Sequence, residues 1–211
     1  MMLGDRISIT LLLILSLNIG LVKSALHVVI PGGTGKMGRL LSQELVEKGH
    51  DVTILSRNSF LASTPARVSG DYGWLGEAFV NKYKGDVTLR DWDGGDLLDI
   101  VGCDWMGWQD DVFSSKNKVD FIVHLVGGYT DQRVMACERI IRECMSYNQI
   151  LSTHHISLSP VDSDLTPIKL KRVTKCEDMI KTNCPTHNCL RAEINDYTGA
   201  IQNIMQIIND K

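Results

Sequence analysis

Residues 26–58 read LHVVIPGGTGKMGRLLSQELVEKGHDVTILSRN. The run Leu26–Ile30 is apolar and rich in β-branched residues, as expected of a buried parallel strand. After it, apolar residues recur at helical intervals until Gly49, which suits a left-handed helix cap. Val52–Leu55 then forms a second apolar strand. Between the first strand and the helix, three glycines follow a G-x-x-G-x-x-G spacing: Gly32, Gly35 and Gly38. The stretch predicts a β–α–β unit with a glycine-rich turn.

A glycine-rich turn that opens a helix is suited to phosphate. The unpaired N–H groups of the helix start and its partial positive charge attract an anion, and glycine leaves room for close approach. We therefore predict that a dinucleotide contacts the turn: Gly32, Gly33, Thr34, Gly35, Lys36, Met37 and Gly38.

The end of the second strand bears on the choice of dinucleotide. It reads Ser56-Arg57-Asn58 and holds no acidic residue that would bind the ribose 2′-hydroxyl of NAD. An arginine there accommodates the 2′-phosphate of NADP. Arg57, together with Lys36, thus favours NADP(H) over NAD(H), the alternative being that Arg57 is a solvated charge at a strand end.

Composition describes one ordinary globular domain. The chain has 211 residues, of which 44% are hydrophobic and 22% charged, and its net charge of −3 gives no basic field for nucleic acid. The run at positions 7–22 is apolar and about as long as the core of a signal peptide. Residues 1–25 are thus predicted to be a signal peptide or a membrane anchor, which favours the secretory pathway. A membrane-anchored protein and a plastid entered through the endoplasmic reticulum are the alternatives.

The GGTGKMG turn and the GHDVTILSR segment carry a family resemblance. They resemble the extended and atypical short-chain dehydrogenase/reductases, including epimerase-like and NmrA-like members. The resemblance implies a single compact α/β domain over residues 26–211, with the doubly wound parallel sheet of the Rossmann fold. Asp120–Gly128 is similar to the family's fourth strand and its cofactor loop, which implies that Val126, Gly127 and Gly128 contact the cofactor.

The resemblance also implies positions for catalysis. Ile150–Pro160 is similar to the fifth strand, where the family carries its catalytic serine, so Ser157 and Ser159 are the candidates. Strand alternation is expected to leave only one of these two on the cofactor side. Lys169–Thr182 is similar to the active-site helix, and Cys189–Arg191 to the sixth strand.

The family's Tyr-x-x-x-Lys pair is absent from the sequence. The spacing places Lys175 at the lysine position and Lys171 at the tyrosine position, where a lysine would need a strongly lowered pKa to act as an acid. A solvated Lys171 is the alternative. Tyr129 precedes Arg133 by four residues but lies outside the expected helix. After Arg191, only one further helix and a minimal substrate lobe are expected.

Two functions follow. The first is an NADP(H)-binding oxidoreductase or epimerase that acts on a small carbonyl or sugar-type substrate. The second is a non-catalytic NADP(H) sensor, or an assembly or scaffold subunit, because the tyrosine and the substrate lobe are missing.

Residues 72–118 are an acidic segment that holds all four tryptophans: Trp74, Trp92, Trp105 and Trp108. Part of this segment should form the third strand, and the family resemblance implies that Asp91 or Asp93 lies near the adenine. The remainder could be a lid over the nicotinamide, a surface for a protein partner, or a packed insertion. Residues 91–96 do not fit a calcium loop, because glycine stands fifth and aspartate sixth, so no metal site is predicted.

The cysteines and histidines carry structural expectations. Six cysteines are too sparse for a disulfide-built domain, so buried thiols are expected, with a Cys184–Cys189 bond as an alternative in an oxidising lumen. His154 and His155 are adjacent and should point to opposite faces of a strand, which is unsuited to a shared metal.

Overall fold

A computed structural model describes residues 24–68, 73–95, 106–114 and 116–211. Residues 1–23 of the predicted leader, Cys103 and Trp105 lie outside the described residues. In the described ranges, none of the helices combines the length and the apolar character needed to cross a membrane.

Six strands form one sheet in the order β3-β2-β1-β4-β5-β6, and every pair in it is parallel. Their bounds are β1 His27–Pro31, β2 Asp51–Ser56, β3 Val87–Asp91, β4 Phe121–His124, β5 His154–Pro160 and β6 His187–Ala192. The chain reverses direction across the sheet between β1 and β4. This is the doubly wound topology, and it confirms the predicted fold class.

Seven described helices connect and cover the strands. They are α1 Lys36–Glu47, α2 Ser59–Ser63, α3 Glu77–Lys82, α4 Trp108–Phe113, α5 Asp131–Ser146, α6 Pro167–Asn183 and α7 Tyr197–Asn209. The first of them ends as predicted, with Gly49 in the left-handed region at φ +82°. Residues 72–118 are thus not a simple insert, because they contribute α3, β3 and α4.

The core lies on both faces of the sheet because strand side chains alternate. Val28 and Ile30 of β1 pack with α1, α3 and α7, whereas Val29 packs with α4 and α5 on the other face. A third apolar cluster lies between α5 and α6. Parallel strands buried on both faces require near-continuous apolar runs, as in β1 and β2.

Two tryptophans of the acidic segment belong to this core. Trp92 and Trp108 are buried, and their rings meet edge to face with centroids 5.5 Å apart. Buried rings cannot serve as the exposed lid or partner surface considered from the sequence. Trp74 is half-buried, and its Nε1–H donates to the carbonyl of Thr64.

Candidate functional site

The glycine turn brings the backbone of β1 close to two neighbours. A Cβ on Gly32 would lie 2.7 Å from the backbone of Val126, and Gly32 itself has φ +76°. A Cβ on Gly38 would lie only 2.2 Å from the carbonyl oxygen of Gly33. Both glycines are therefore required by backbone packing, which seats the start of α1 directly against the turn.

Gly35 differs from these two glycines because it faces open space. A Cβ added there would meet nothing within 4 Å. Gly35 is also the N-cap of α1, which has no side-chain cap and no acidic residue in its first turn. The unpaired N–H groups at this helix start consequently border an open space of the kind that a pyrophosphate fills.

This open space is one end of a cleft of about 550 Å³ above the carboxyl ends of the strands. Its walls combine the glycine turn, the end of β2 and the loop after β4. Several predicted cofactor residues line it: Gly32, Thr34, Gly35, Arg57, Val126, Gly127 and Gly128. Gly33 and Gly38 lie behind the turn and shape it. The cleft therefore fits a dinucleotide, which when bound would supply hydride chemistry.

Two arginines border the cleft. Arg57 lies over Gly94, where an added Cβ would come within 3.0 Å of the Arg57 side chain. Arg67 reaches the same cleft from the chain after α2. Sequence reasoning missed Arg67 because a loop arginine has no periodicity or motif to mark it. It also missed Trp92, Gly94, Thr130 and Gln132, which line the cleft as well.

Asp91 positions the backbone that follows β2. Its carboxylate accepts a hydrogen bond from the backbone N–H of Ser59, which fixes the chain after β2. The neighbouring Asp93 forms an ion pair with Arg139 at 3.0 Å. Both carboxylates are buried. The structure thus gives them positioning contacts, and contact of Asp91 with the cofactor stays a prediction.

A smaller pocket of about 180 Å³ adjoins the cleft and shares Leu125 with it. Two phenols line this pocket, Tyr129 and Tyr197. A cation lies over each ring, since the Arg133 guanidinium is 5.2 Å from the Tyr129 centroid and Lys36 Nζ is 4.3 Å from that of Tyr197. Met37 lines this pocket too, and Lys36 lies over one of its rings, so contact of these two residues with the cofactor stays a prediction.

Tyr129 is held in an uncommon backbone conformation. Its φ is +49°, in the left-handed region that side chains other than glycine seldom adopt. Burial raises the pKa of its phenol, and the positive charge of Arg133 opposes that rise. At neutral pH the phenol is therefore protonated and can donate a proton to an oxygen in the pocket.

Ser157 and Ser159 both contact Arg133. The guanidinium Nη2 lies 3.5 Å from Ser157 Oγ and 3.0 Å from Ser159 Oγ. The expectation that only one serine could face the cofactor side was wrong, because residues two apart on a strand share a face. Of the two, Ser159 lines the smaller pocket, while Ser157 lies deeper.

Lys171 and Lys175 do not join these serines. Both are exposed and line a groove on the outside of α6. The inward side of α6 carries Val173, Cys176, Glu177 and Ile180, which are buried. Within the described residues, the four predicted catalytic side chains therefore do not form one site, because the helical repeat turns the two lysines away from β5.

The histidines of β4 and β5 form an internal pair. His124 Nε2 and His155 Nδ1 are 3.1 Å apart, and their rings stack. Burial lowers the pKa of His155 to about 3 and holds that of His124 well below its ordinary value. His154 points to the other face and meets Asn188, which agrees with structural roles for these side chains.

A comparison with known protein families covers the part of the chain that forms the cleft. The sequence model of the NAD dependent epimerase/dehydratase family matches residues 28–151, which is more than half of the chain. The chain belongs to this family. The matched range includes the glycine turn, β2 with Arg57, and the loop after β4. No curated protein sequence matches the chain.

Solved structures with the same fold are distant in sequence. A short-chain dehydrogenase from Streptomyces avermitilis is 15% identical, with a TM-score of 0.52, and the match covers 82% of this chain and 66% of that one. WbmG from Bordetella bronchiseptica, in complex with NAD, is 13% identical, with a TM-score of 0.53 and coverage of 82% and 55%. The chain thus spans less than two thirds of the length of these first two relatives.

YwfH, an NADPH dependent reductase involved in bacilysin biosynthesis, has a more similar length. It is 15% identical, with a TM-score of 0.54, and the match covers 87% of this chain and 79% of that one. At these identities the likeness shows the fold alone, whereas the match to the family model confirms the predicted family resemblance.

Gly35 allows a direct test of the phosphate end of the cleft. Gly35→Ala is expected to weaken NADPH binding by about tenfold, equivalent to about 1.4 kcal/mol, because the new methyl group would occupy the open space. Stability should stay nearly unchanged, since φ is −78° and nothing lies within 4 Å. Calorimetric titration and thermal unfolding measure the two effects. Undiminished binding would contradict the placement of phosphate at Gly35.

Proposed function

We propose that this family member binds NADP(H) and uses it as an oxidoreductase or epimerase on a small carbonyl or sugar-type substrate. The observation that carries the proposal is the cleft bounded by the uncapped start of α1 at one wall and by Arg57 and Arg67 at another. A helix start suits the pyrophosphate, and arginine suits a 2′-phosphate.

The cofactor preference rests on charge. Two guanidinium groups lie at the end of the cleft beyond β2, and β2 ends without an acidic side chain. Arginine binds phosphate through geometrically matched, charge-assisted hydrogen bonds. Among the structural relatives, one is named as NADPH dependent and another binds NAD, so the preference is supported by this chain's own residues.

The substrate end is the smaller pocket. Tyr129 offers a protonated phenol there, Ser159 offers a hydroxyl, and Arg133 holds both in place. A phenol and a hydroxyl that converge on one oxygen suit a carbonyl or an alcohol. A pocket of about 180 Å³ limits the reacting part of the substrate to a small group.

Removal of Arg57 tests the cofactor proposal. In Arg57→Ala, NADPH affinity is expected to fall by about 10- to 100-fold through loss of a charge-assisted contact, whereas NADH affinity should barely change. Arg142→Ala is the matched control, because Arg142 is an exposed arginine of α5 that does not line the cleft. An equal loss for both dinucleotides would remove the 2′-phosphate assignment, and no binding by the unaltered protein would remove the proposal itself.

A non-catalytic NADP(H) sensor or assembly subunit is the second candidate. It is favoured by the inward side of α6, whose buried residues include neither a tyrosine nor a lysine. Single-turnover mixing separates the two functions, with the NADPH complex mixed with panels of aldehydes and ketones and the NADP+ complex with panels of nucleotide sugars. Loss of NADPH absorbance in the first case, or its appearance in the second, that requires Tyr129 supports the enzyme, and binding without any turnover supports the sensor.

A further inference from the structure

A buried polar cluster outside the cleft holds two thiols. Cys137 of α5 and Cys176 of α6 face each other between the helices and are 3% and 2% exposed. The Cys137 Sγ donates to the carbonyl oxygen of Cys176 over 3.8 Å. Two helices that approach this closely bring the thiols within reach of each other.

Arg133 supplies the charge in this cluster. Its guanidinium is 4% exposed and donates to the carbonyls of Val126 and Leu158. Within the described ranges, no carboxylate lies at ion-pair distance from it, and its buried Nε lacks a hydrogen-bond partner. A buried cation without a counter-ion is unfavourable, so an adjacent group that can become an anion is stabilised.

Cys176 is the group whose anionic form the Arg133 charge stabilises. The contact with Cys137 and the nearby positive charge of Arg133 lower the pKa of Cys176, against the opposing effect of burial. The pKa of Cys137 is raised in turn, because it donates to Cys176 and is buried. Two buried thiols farther from Arg133 behave differently, since burial raises the pKa of Cys144 to about 11 and that of Cys184 to about 12.

A small cavity reaches both thiols. It measures about 10 Å³ and is lined by Arg133, Cys137, Cys176, Ser157 and His124, with Val126 and Ile180 completing the wall. A cavity of roughly this size admits about one water-sized molecule. Hydrogen peroxide is the smallest peroxide and needs only a small widening of this cavity, whereas a branched alkyl hydroperoxide is far too large.

From this arrangement we infer that Cys137 and Cys176 form a peroxide-reactive dithiol site that closes to a disulfide between α5 and α6. The Cys176 thiolate attacks hydrogen peroxide, the O–O bond breaks, and Cys176 becomes a sulfenic acid as hydroxide leaves. Cys137 then attacks that sulfur, and the S–O bond breaks to release water. Overall, two thiols and one hydrogen peroxide give one disulfide and two waters.

This site is independent of the proposed dinucleotide function, because no step uses the cofactor. It also differs from the Cys184–Cys189 bond considered from the sequence, since all four of these cysteines are free thiols in the structure. A small oxidant rather than a second protein is required, because both sulfurs are buried.

Peptide mapping tests the inference without ambiguity, because trypsin separates the cysteines. Cys137 falls in VMACER and Cys176 in CEDMIK, whereas Cys184 and Cys189 share TNCPTHNCLR. The full chain is treated with near-stoichiometric hydrogen peroxide, blocked with iodoacetamide in denaturant, and digested without reduction. We expect a VMACER–CEDMIK disulfide as the main product, formed at least tenfold faster with hydrogen peroxide than with tert-butyl hydroperoxide.

Matched variants fix the assignment. Cys144→Ser removes another buried thiol of α5 and should leave the cross-link unchanged, while Cys176→Ser should abolish it and leave Cys137 reduced. The inference is overturned if the VMACER–CEDMIK product is absent, if Cys184 and Cys189 join instead, or if the cross-link forms as fast in urea-unfolded protein. Equal rates with the two peroxides would also overturn it, since the cavity would then play no part.

Discussion

Gly38→Ala is expected to destabilise the domain by about 3 kcal/mol and to abolish measurable dinucleotide binding. The added Cβ would lie 2.2 Å from the carbonyl oxygen, 2.4 Å from the Cα and 2.5 Å from the carbonyl carbon of Gly33. These are backbone atoms at the base of the glycine turn and cannot rotate aside. Helix α1 must therefore move away from β1, which separates the phosphate-binding start of the helix from the glycine turn.

Neither the higher helix propensity of alanine nor a shift of helix α1 removes this cost. Alanine gains about 1 kcal/mol in helix propensity over glycine, which is smaller than the cost of the overlap. The shift of helix α1 is itself unfavourable, because it disturbs the packing of Leu41 and Leu45, which are fully buried in the core. The free energy of unfolding is measured by urea denaturation, with Gly35→Ala as the control that adds the same methyl group where there is space. Equal stabilities for the two variants would contradict this account.

The fold could be read from the sequence because its signals are local. β1 and β2 are short, mostly apolar runs, and both appear within one residue of their predicted bounds. Helix α5, Asp131–Ser146, likewise has apolar residues that recur at helical spacing. Such patterns involve residues that are close in the sequence, so they can be recognised without knowledge of the tertiary contacts.

The cofactor end of the site was predicted better than the substrate end for the same reason. The glycine turn and Arg57 are contiguous with β1 and β2, so the strand positions locate them. Arg67 and Tyr129 approach from loops, whose course local sequence does not determine. Lys171 and Lys175 have the spacing of a catalytic pair, but the rotation of α6 about its axis follows from how its apolar side chains pack.

Arg133 shows why a residue type alone can mislead. A charged side chain on an amphipathic helix is expected at the surface, yet Arg133 is buried. Neutral acceptors from the loop after β4 and from β5 make that burial tolerable, together with the Tyr129 ring. One side chain consequently joins the cleft wall, the smaller pocket and the dithiol pair.

Acid is expected to unfold the protein through the buried histidine pair. In the unfolded chain both imidazoles have a pKa near 6.5, whereas in the folded protein the pKa of His155 is lowered to about 3 and that of His124 is well below its ordinary value. Between these limits the unfolded state binds more protons, so the free energy of unfolding falls as pH decreases below about 6.5. The stabilisation is fully present above that pH.

The expected loss is large because two groups contribute. With a folded pKa of about 3, His155 removes about 1.4 kcal/mol of stability per pH unit below pH 6.5, or about 2 kcal/mol between pH 6.5 and 4.5, and His124 adds to this loss in the same direction. The double variant His124→Phe/His155→Phe keeps two stacked rings without titratable nitrogens and should flatten this dependence, measured by urea unfolding at a series of pH values. His187→Phe is the control, because His187 lies on neighbouring β6 and is only half-buried. If the double variant kept the full slope, the acid sensitivity would lie elsewhere, with His27 and His154 as the first places to look, since burial lowers the pKa of each from 6.5.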